Sequence, residues 1–170
     1  MSIHGSRALL ALALVSAVAT AQAAQADIKV WADIDTTLAL RSADGSVLPL
    51  QAEVPFNPAT GTLSAWSHQV RVFSNDITKD VDIRVNGTPE LRPVVAGTGA
   101  KEIKLAVELN GRNLETDRNF TASELFDGAL PGASVSMPLR IGQEGSAPIT
   151  AAGLYEGVVS IVLTQLTVAP

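Results

Sequence analysis

The stretch Ala26-Asp27-Ile28-Lys29-Val30-Trp31-Ala32-Asp33-Ile34-Asp35 alternates with a period of two. Ile28, Val30, Ala32 and Ile34 share one face, and Asp27, Lys29, Trp31, Asp33 and Asp35 share the other, which is the pattern of a strand with one side buried. At the far end, Leu154 to Val168 is a β-branched run, apolar on both faces, with no turn signal before Pro170. Such a run predicts a central strand covered on two sides, yet no later segment is there to pair with it. A detachable one-sided strand thus stands at one end and a strand short of a partner at the other.

Between these ends the alternation recurs, punctuated by Gly, Pro, Asn and Asp, so the fold class is all-β, a sandwich or barrel. Strands are predicted over Thr37 to Arg41, Val47 to Val54, Leu63 to Phe73, Val81 to Val85, Ile103 to Leu109 and Val135 to Ile141. Asp44-Gly45, Asn86-Gly87 and Asn110-Gly111 supply the positive φ that tight turns need. Pro138 removes a ladder donor from the last of these strands and predicts an edge or bulged position. Thr121-Ala122-Ser123-Glu124 has capping-box spacing, so one helical turn is expected from Thr121 to Asp127.

Residues 1–23 read as a secretory signal peptide: Arg7 precedes the apolar run Ala8 to Ala19, and Ala21-Gln22-Ala23 fits a small-x-small cleavage site. The apolar run is short for a bilayer span, which takes roughly 20 residues. Loss of Arg7 with the signal leaves 11 basic against 17 acidic residues, a net charge of −6. That balance, without a basic stripe, argues against a nucleic-acid partner. The absence of cysteine excludes disulfides, zinc ribbons and thiol nucleophiles. Stability must come from burial and strand pairing, or from a partner.

Chemistry is sparse. His68 is the only histidine after the signal, so a Ser-His-Asp triad or a histidine metal site would rest on it alone. A partly buried, hydrogen-bonded strand histidine is the plainer reading. Gly97-Thr98-Gly99-Ala100-Lys101 lacks the spacing of a phosphate loop, and Asp33-x-Asp35 and Asp80-x-Asp82 lack the glycine and terminal glutamate of a calcium loop. The glycine-rich stretch reads as a hairpin loop and the two aspartate pairs as solvated strand faces. No enzymatic activity, cofactor or metal is implied.

The residues do resemble a family. The block from Ala152 to Thr164, Ala-Gly-Leu-Tyr-Glu-Gly-Val-Val-Ser-Ile-Val-Leu-Thr, is similar to the AG-x-Y-x-GVVS-x-V-x-T ending of the major pilins of the alternate chaperone-usher pathway. These are the alpha-type fimbriae, which include the colonization-factor antigen fimbriae and cable pili. Ala43-Asp44-Gly45 with Leu48-Pro49, Asn75-Asp76 with Thr78-Lys79, and Thr88-Pro89 with Leu91 match in the same order. Thr36 departs from the family where some members carry a proline, so a proline-controlled hinge is not carried over.

The resemblance implies an immunoglobulin-like sandwich lacking its final strand, with residues 24–35 as a donor strand and 36–170 as the incomplete domain. Its expected function is that of a major fimbrial subunit, polymerised head-to-tail by donor-strand complementation and supporting adhesion to host surfaces. Ile28, Val30, Ala32 and Ile34 are the expected donor knobs, and Tyr155, Val159, Ile161 and Leu163 the expected acceptor groove. Trp31 is a candidate contact with the neighbour's rim, a partly exposed ring being the plain alternative. The implied partners are identical subunits, a periplasmic chaperone, an outer-membrane usher and a tip adhesin, and the implied destination is the cell surface. From the residues alone, a monomeric periplasmic binding module stays open, because a donor strand is chemically the same whether it fills its own groove or a neighbour's.

Overall fold

The computed structural model describes residues 38–95 and 99–167. The signal segment, the donor segment with Ile28, Val30, Ala32 and Ile34, the candidate contact Trp31 and the Asp33-x-Asp35 pair lie outside the described residues. So do Gly97 and Thr98 of the loop that runs to Lys101.

The strands follow in order as β1 (Leu38–Ser42), β2 (Phe56–Asn57), β3 (Thr62–Leu63), β4 (Trp66–Ser74), β5 (Val81–Asn86), β6 (Glu90–Pro93), β7 (Ile103–Leu109), β8 (Arg112–Asn113) and β9 (Asn119–Phe120). A single helical turn, α1 (Ala122–Leu125), precedes β10 (Met137–Gln143), β11 (Tyr155–Glu156) and β12 (Ser160–Gln165). The large sheet runs β1-β4-β10-β7-β6-β11, with β8 folded back on β7, and the small sheet runs β12-β5-β9. Among the described residues every pairing is antiparallel.

Alternation places the core between the sheets. Val70 and Val72 of β4, Val107 and Leu109 of β7, and Val81 and Ile83 of β5 all have no exposed surface. On β4 and β7 the residues between them, Arg71 and Glu108, are turned to the outer face and partly exposed, as a period of two requires. Asn110 at φ 52 and Gly111 at φ 79 make the two-residue turn from β7 to β8, the primed geometry that matches strand twist. Thr121 caps α1 from both sides: its hydroxyl accepts the Glu124 N–H, and its own N–H donates to the Glu124 carboxylate at 3.0 Å.

Three expectations need correction. Val47 to Val54 forms no strand; Leu48 tucks against the core while Leu50 is fully exposed. Pro49 within the run and Pro55 after it remove ladder donors, and the outer edge of β1 stays bare among the described residues. Pro138 lies in a central strand, since β10 pairs with both β4 and β7. Its carbonyl accepts from Asn110 N at 2.9 Å, where β7 has already ended, so its missing N–H costs the ladder little. A bulge does adjoin it: between Met137↔Val70 and Phe73↔Ala133 there is one more residue on the β10 side than on β4. Finally, Leu154 to Val168 is divided. β11 joins β6 in the large sheet and β12 joins β5 in the small one.

The crossing between them is tight. A Cβ on Gly157 would overlap the carbonyl oxygen of Glu90 in β6 and lie 3.2 Å from Leu91 Cδ2. Only glycine lets the chain pass this close on its way from one sheet to the other.

Candidate functional site

Along its length β12 is laddered to β5, from Ser160↔Asn86 to Gln165↔Val81. Among the described residues no strand pairs with its other edge. β1 is in the same position, with β4 on one side only. The two bare edges lie beside each other without a ladder between them, one from each sheet. An unpaired edge presents free N–H and C=O groups in a row, a template for another strand.

The side chains along this seam are unfinished in the same sense. Leu38 and Leu40 of β1, Val159 before β12, and Ile161 and Leu163 within it all pack against the core cluster but remain partly exposed. Val81 and Ile83, on the strand next to β12, are wholly covered. Among the described residues nothing covers the core along this seam, and a fitting cover is apolar, extended and able to hydrogen-bond along its backbone.

Both ends of the seam are pinned. At one end Gln165 Nε2 donates to Ser74 Oγ at 2.6 Å and to the Asp76 carbonyl at 3.1 Å, tying β12 to the end of β4. At the other, His68 Nε2 and Ser42 Oγ are 3.0 Å apart and Trp66 stacks on the His68 ring with centroids 5.6 Å apart. Ser42 Oγ donates onward to the Val47 carbonyl. The hydroxyl is thus engaged in structure, in keeping with a hydrogen-bonded strand histidine. Two carboxylates border these ends. Asp44 is held below its ordinary 3.8 chiefly by the Ser46 hydroxyl and N–H, and Asp76 likewise by those of Thr78. Both are turn-makers.

Asp80 and Asp82 do more than face solvent. Asp80 accepts the Ala122 N–H at the start of α1, and Asp82 is buried between Arg84 and Arg118, with Arg118 Nε at 3.0 Å. Of the expected groove residues, the structure gathers Val159, Ile161 and Leu163 at the seam. Tyr155 sits in β11 opposite Pro93, at the far edge of the large sheet, and its hydroxyl donates to the Ala151 carbonyl at 3.0 Å. Leu38 and Leu40, the seam's second wall, were visible as an alternating pair but not as partners of β12.

A two-sheet sandwich with one uncovered seam is the shape with which known proteins can be compared. The family model described as the CS1 type fimbrial major subunit matches residues 24–164. The chain belongs to this family. It is 33% identical over 163 residues to a CFA/I fimbrial subunit of Escherichia coli, covering 91% of this chain and 93% of that relative. It is 29% identical over 178 residues to a CS1 fimbrial subunit of Escherichia coli, covering 98% and 100%. Among solved structures, the CooA pilin subunit from enterotoxigenic Escherichia coli is similar with a TM-score of 0.68 and 27% identity, over 79% of this chain and 90% of that one.

The protein is a structural pilin, the major subunit of a fimbria at the cell surface, and its sandwich is the immunoglobulin-like pilin fold without the last strand. Its homologues are structural fimbrial subunits rather than enzymes, and the monomeric binding module is not favoured.

Proposed function

We propose that the seam between β1 and β12 is the acceptor for residues 24–35 of the next subunit, with Ile28, Val30, Ala32 and Ile34 as the inserted knobs. The observation that carries the reading is the row of partly exposed apolar side chains, Leu38, Leu40, Ile161 and Leu163, flanked by two bare strand edges. Lengths agree: the six residues of β12 extend about 17 Å and the seven from Ile28 to Ile34 about 20 Å at roughly 3.4 Å each. Burying Ile28, Val30 and Ile34 contributes about 5 to 9 kcal/mol before the backbone ladder is counted. Ordering the extension opposes this at about 1 to 2 kcal/mol per residue, so groove and ladder act together.

Donor and acceptor are different surfaces of one chain, so the contact is head-to-tail and propagates. Until filled, the seam is an aggregation-prone edge. A periplasmic chaperone that lends a strand, followed by an outer-membrane usher that exchanges it, fits that need, and a separate tip adhesin would supply receptor binding. Residues 1–23 direct export and are removed. Trp31, outward on the donor, packs on the acceptor's rim.

The test is Val30→Asp in the full chain, beside a chain beginning at Thr36 supplied with an Ala24 to Asp35 peptide. The expected outcome is no fibres from Val30→Asp by negative-stain microscopy, and a shortened monomer whose melting temperature rises on adding the peptide. Normal fibre yield from Val30→Asp would remove the donor assignment.

A further inference from the structure

Arg41 and Arg71 are direct cross-strand partners in the β1–β4 ladder. Like charges placed opposite one another are destabilising, and the chain is otherwise acidic. Arg71 lies across the sheet, its Nε donating to the Ala43 carbonyl at 3.2 Å and its Nη1 to the Ser134 carbonyl. Neither guanidinium meets a carboxylate among the described residues, whereas Arg84, Arg92, Arg112, Arg118 and Arg140 all do. The unbalanced pair sits on the very strand that forms one wall of the seam and on its neighbour. Arg41 alternates with Leu40 and Ser42, so it stands on the outer face while the leucines line the seam.

The donor segment carries the complement. Its outward row is Asp27, Lys29, Trp31, Asp33 and Asp35. A strand seated along β12 with its knobs turned inward brings that row beside the outward row of β1. Which end meets Arg41 follows from the ladders: Leu38 and Gln165 share one end of the seam with Ser74, so Arg41 lies toward the end where β12 begins at Ser160. A donor antiparallel to β12 delivers Asp33 and Asp35 there, two carboxylates with no lysine near them. A donor running the other way delivers Asp27 with Lys29, which carry no net charge.

We infer that Arg41 and Arg71 form a cationic clamp for Asp33 and Asp35 of the incoming subunit and that this clamp sets the donor's direction. The inference rests on the donor reading proposed above.

The absence of cysteine makes the donor's direction directly readable. In the full mature chain, Arg41→Cys is combined in turn with Asp33→Cys, Asp35→Cys and Asp27→Cys. Fibres are assembled, oxidised and run on denaturing gels without reductant. Neighbouring strand positions come within the Cα separation that a disulfide accepts. Ladders of cross-linked subunits are expected with Asp33→Cys or Asp35→Cys and not with Asp27→Cys. In parallel, Arg41→Glu fibres should shed subunits about fivefold faster than wild type at low salt, and the difference should vanish near 1 M salt, where the Debye length is about 3 Å. Adding Asp33→Lys and Asp35→Lys to Arg41→Glu should restore the wild-type rate. Arg41→Glu fibres that shed subunits at the wild-type rate at low salt, or fibres that cross-link only through Asp27→Cys, overturn the clamp and leave the donor reading intact. Fibres from Val30→Asp overturn the donor reading itself, and the clamp with it.

Discussion

Replacing Gly157 by alanine adds a single methyl group at the point where the chain leaves the large sheet for the small one. That methyl would overlap the Glu90 carbonyl oxygen and sit 3.1 Å from the Glu90 carbonyl carbon. The obstruction is backbone in a paired strand, so no rotamer change relieves it. Either β6 shifts or β11 lifts away, releasing Tyr155↔Pro93, Glu156↔Arg92 and the Val94 N–H to Leu154 carbonyl bond. Overpacking costs about 1 to 3 kcal/mol, and each hydrogen bond lost about 1 kcal/mol, so a total of about 2 to 4 kcal/mol is expected. At roughly 3 °C per kcal/mol for a domain of this size, the melting temperature of the monomeric subunit should fall by about 6 to 12 °C, measured by calorimetry or by fluorescence. Gly111→Ala is the control. Gly111 has φ 79 but open space around its Cβ position, so that change incurs only left-handed backbone strain of about 1 kcal/mol, or about 3 °C. Because Gly157 also sets where β12 begins, Gly157→Ala should lower fibre yield as well. A Gly157→Ala subunit melting within about 2 °C of wild type would refute the reasoning that this crossing demands glycine.

Two further outcomes follow from the turns. Thr121→Ala removes the side-chain half of the α1 capping box and should lower stability by about 1 kcal/mol, with Thr121→Ser retaining most of it in a urea titration. Asp44, Asp76 and Glu124 all have folded pKa values below their ordinary 3.8, 3.8 and 4.5, the last chiefly through the Thr121 N–H and then Arg112. A lowered folded value means that the ionised form stabilises the fold: the contribution is complete above the ordinary value and is lost as pH falls through it toward the folded one. The urea midpoint should therefore decline as pH drops from about 5 to about 3, and less steeply in the combined Asp44→Asn, Asp76→Asn, Glu124→Gln variant. An equally steep decline there would show that other groups carry the acid response.

Local order was legible because it depends on neighbours a few residues apart. Ile103 to Leu109 forms a strand with the bounds its alternation indicates, Asn110-Gly111 makes its turn, and Thr121 with Glu124 makes its capping box. The strand short of a partner was legible too: Leu154 to Val168 read as such a strand, and among the described residues β12 pairs with β5 alone. The seam itself was legible only in part. Ile161 and Leu163 were readable from the C-terminal run, whereas Leu38 and Leu40 were readable as a strand face but not as the opposing wall.

Alternation records which face of a strand is buried and carries no information about which strand stands beside it. That is why the sequence alone determined an all-β chain with a strand short of a partner, while tertiary structure decided where the bare edges meet. The division of Leu154 to Val168 between two sheets turns on a close approach of Gly157 to Glu90, residues 67 positions apart. The same division separates Tyr155 from Leu163 and brings β12 beside β1. Pro138 holds a central position because β7 happens to end opposite its missing donor. Each of these is a long-range pairing, and its cause lies in the backbone of a distant strand rather than in the residues that respond to it.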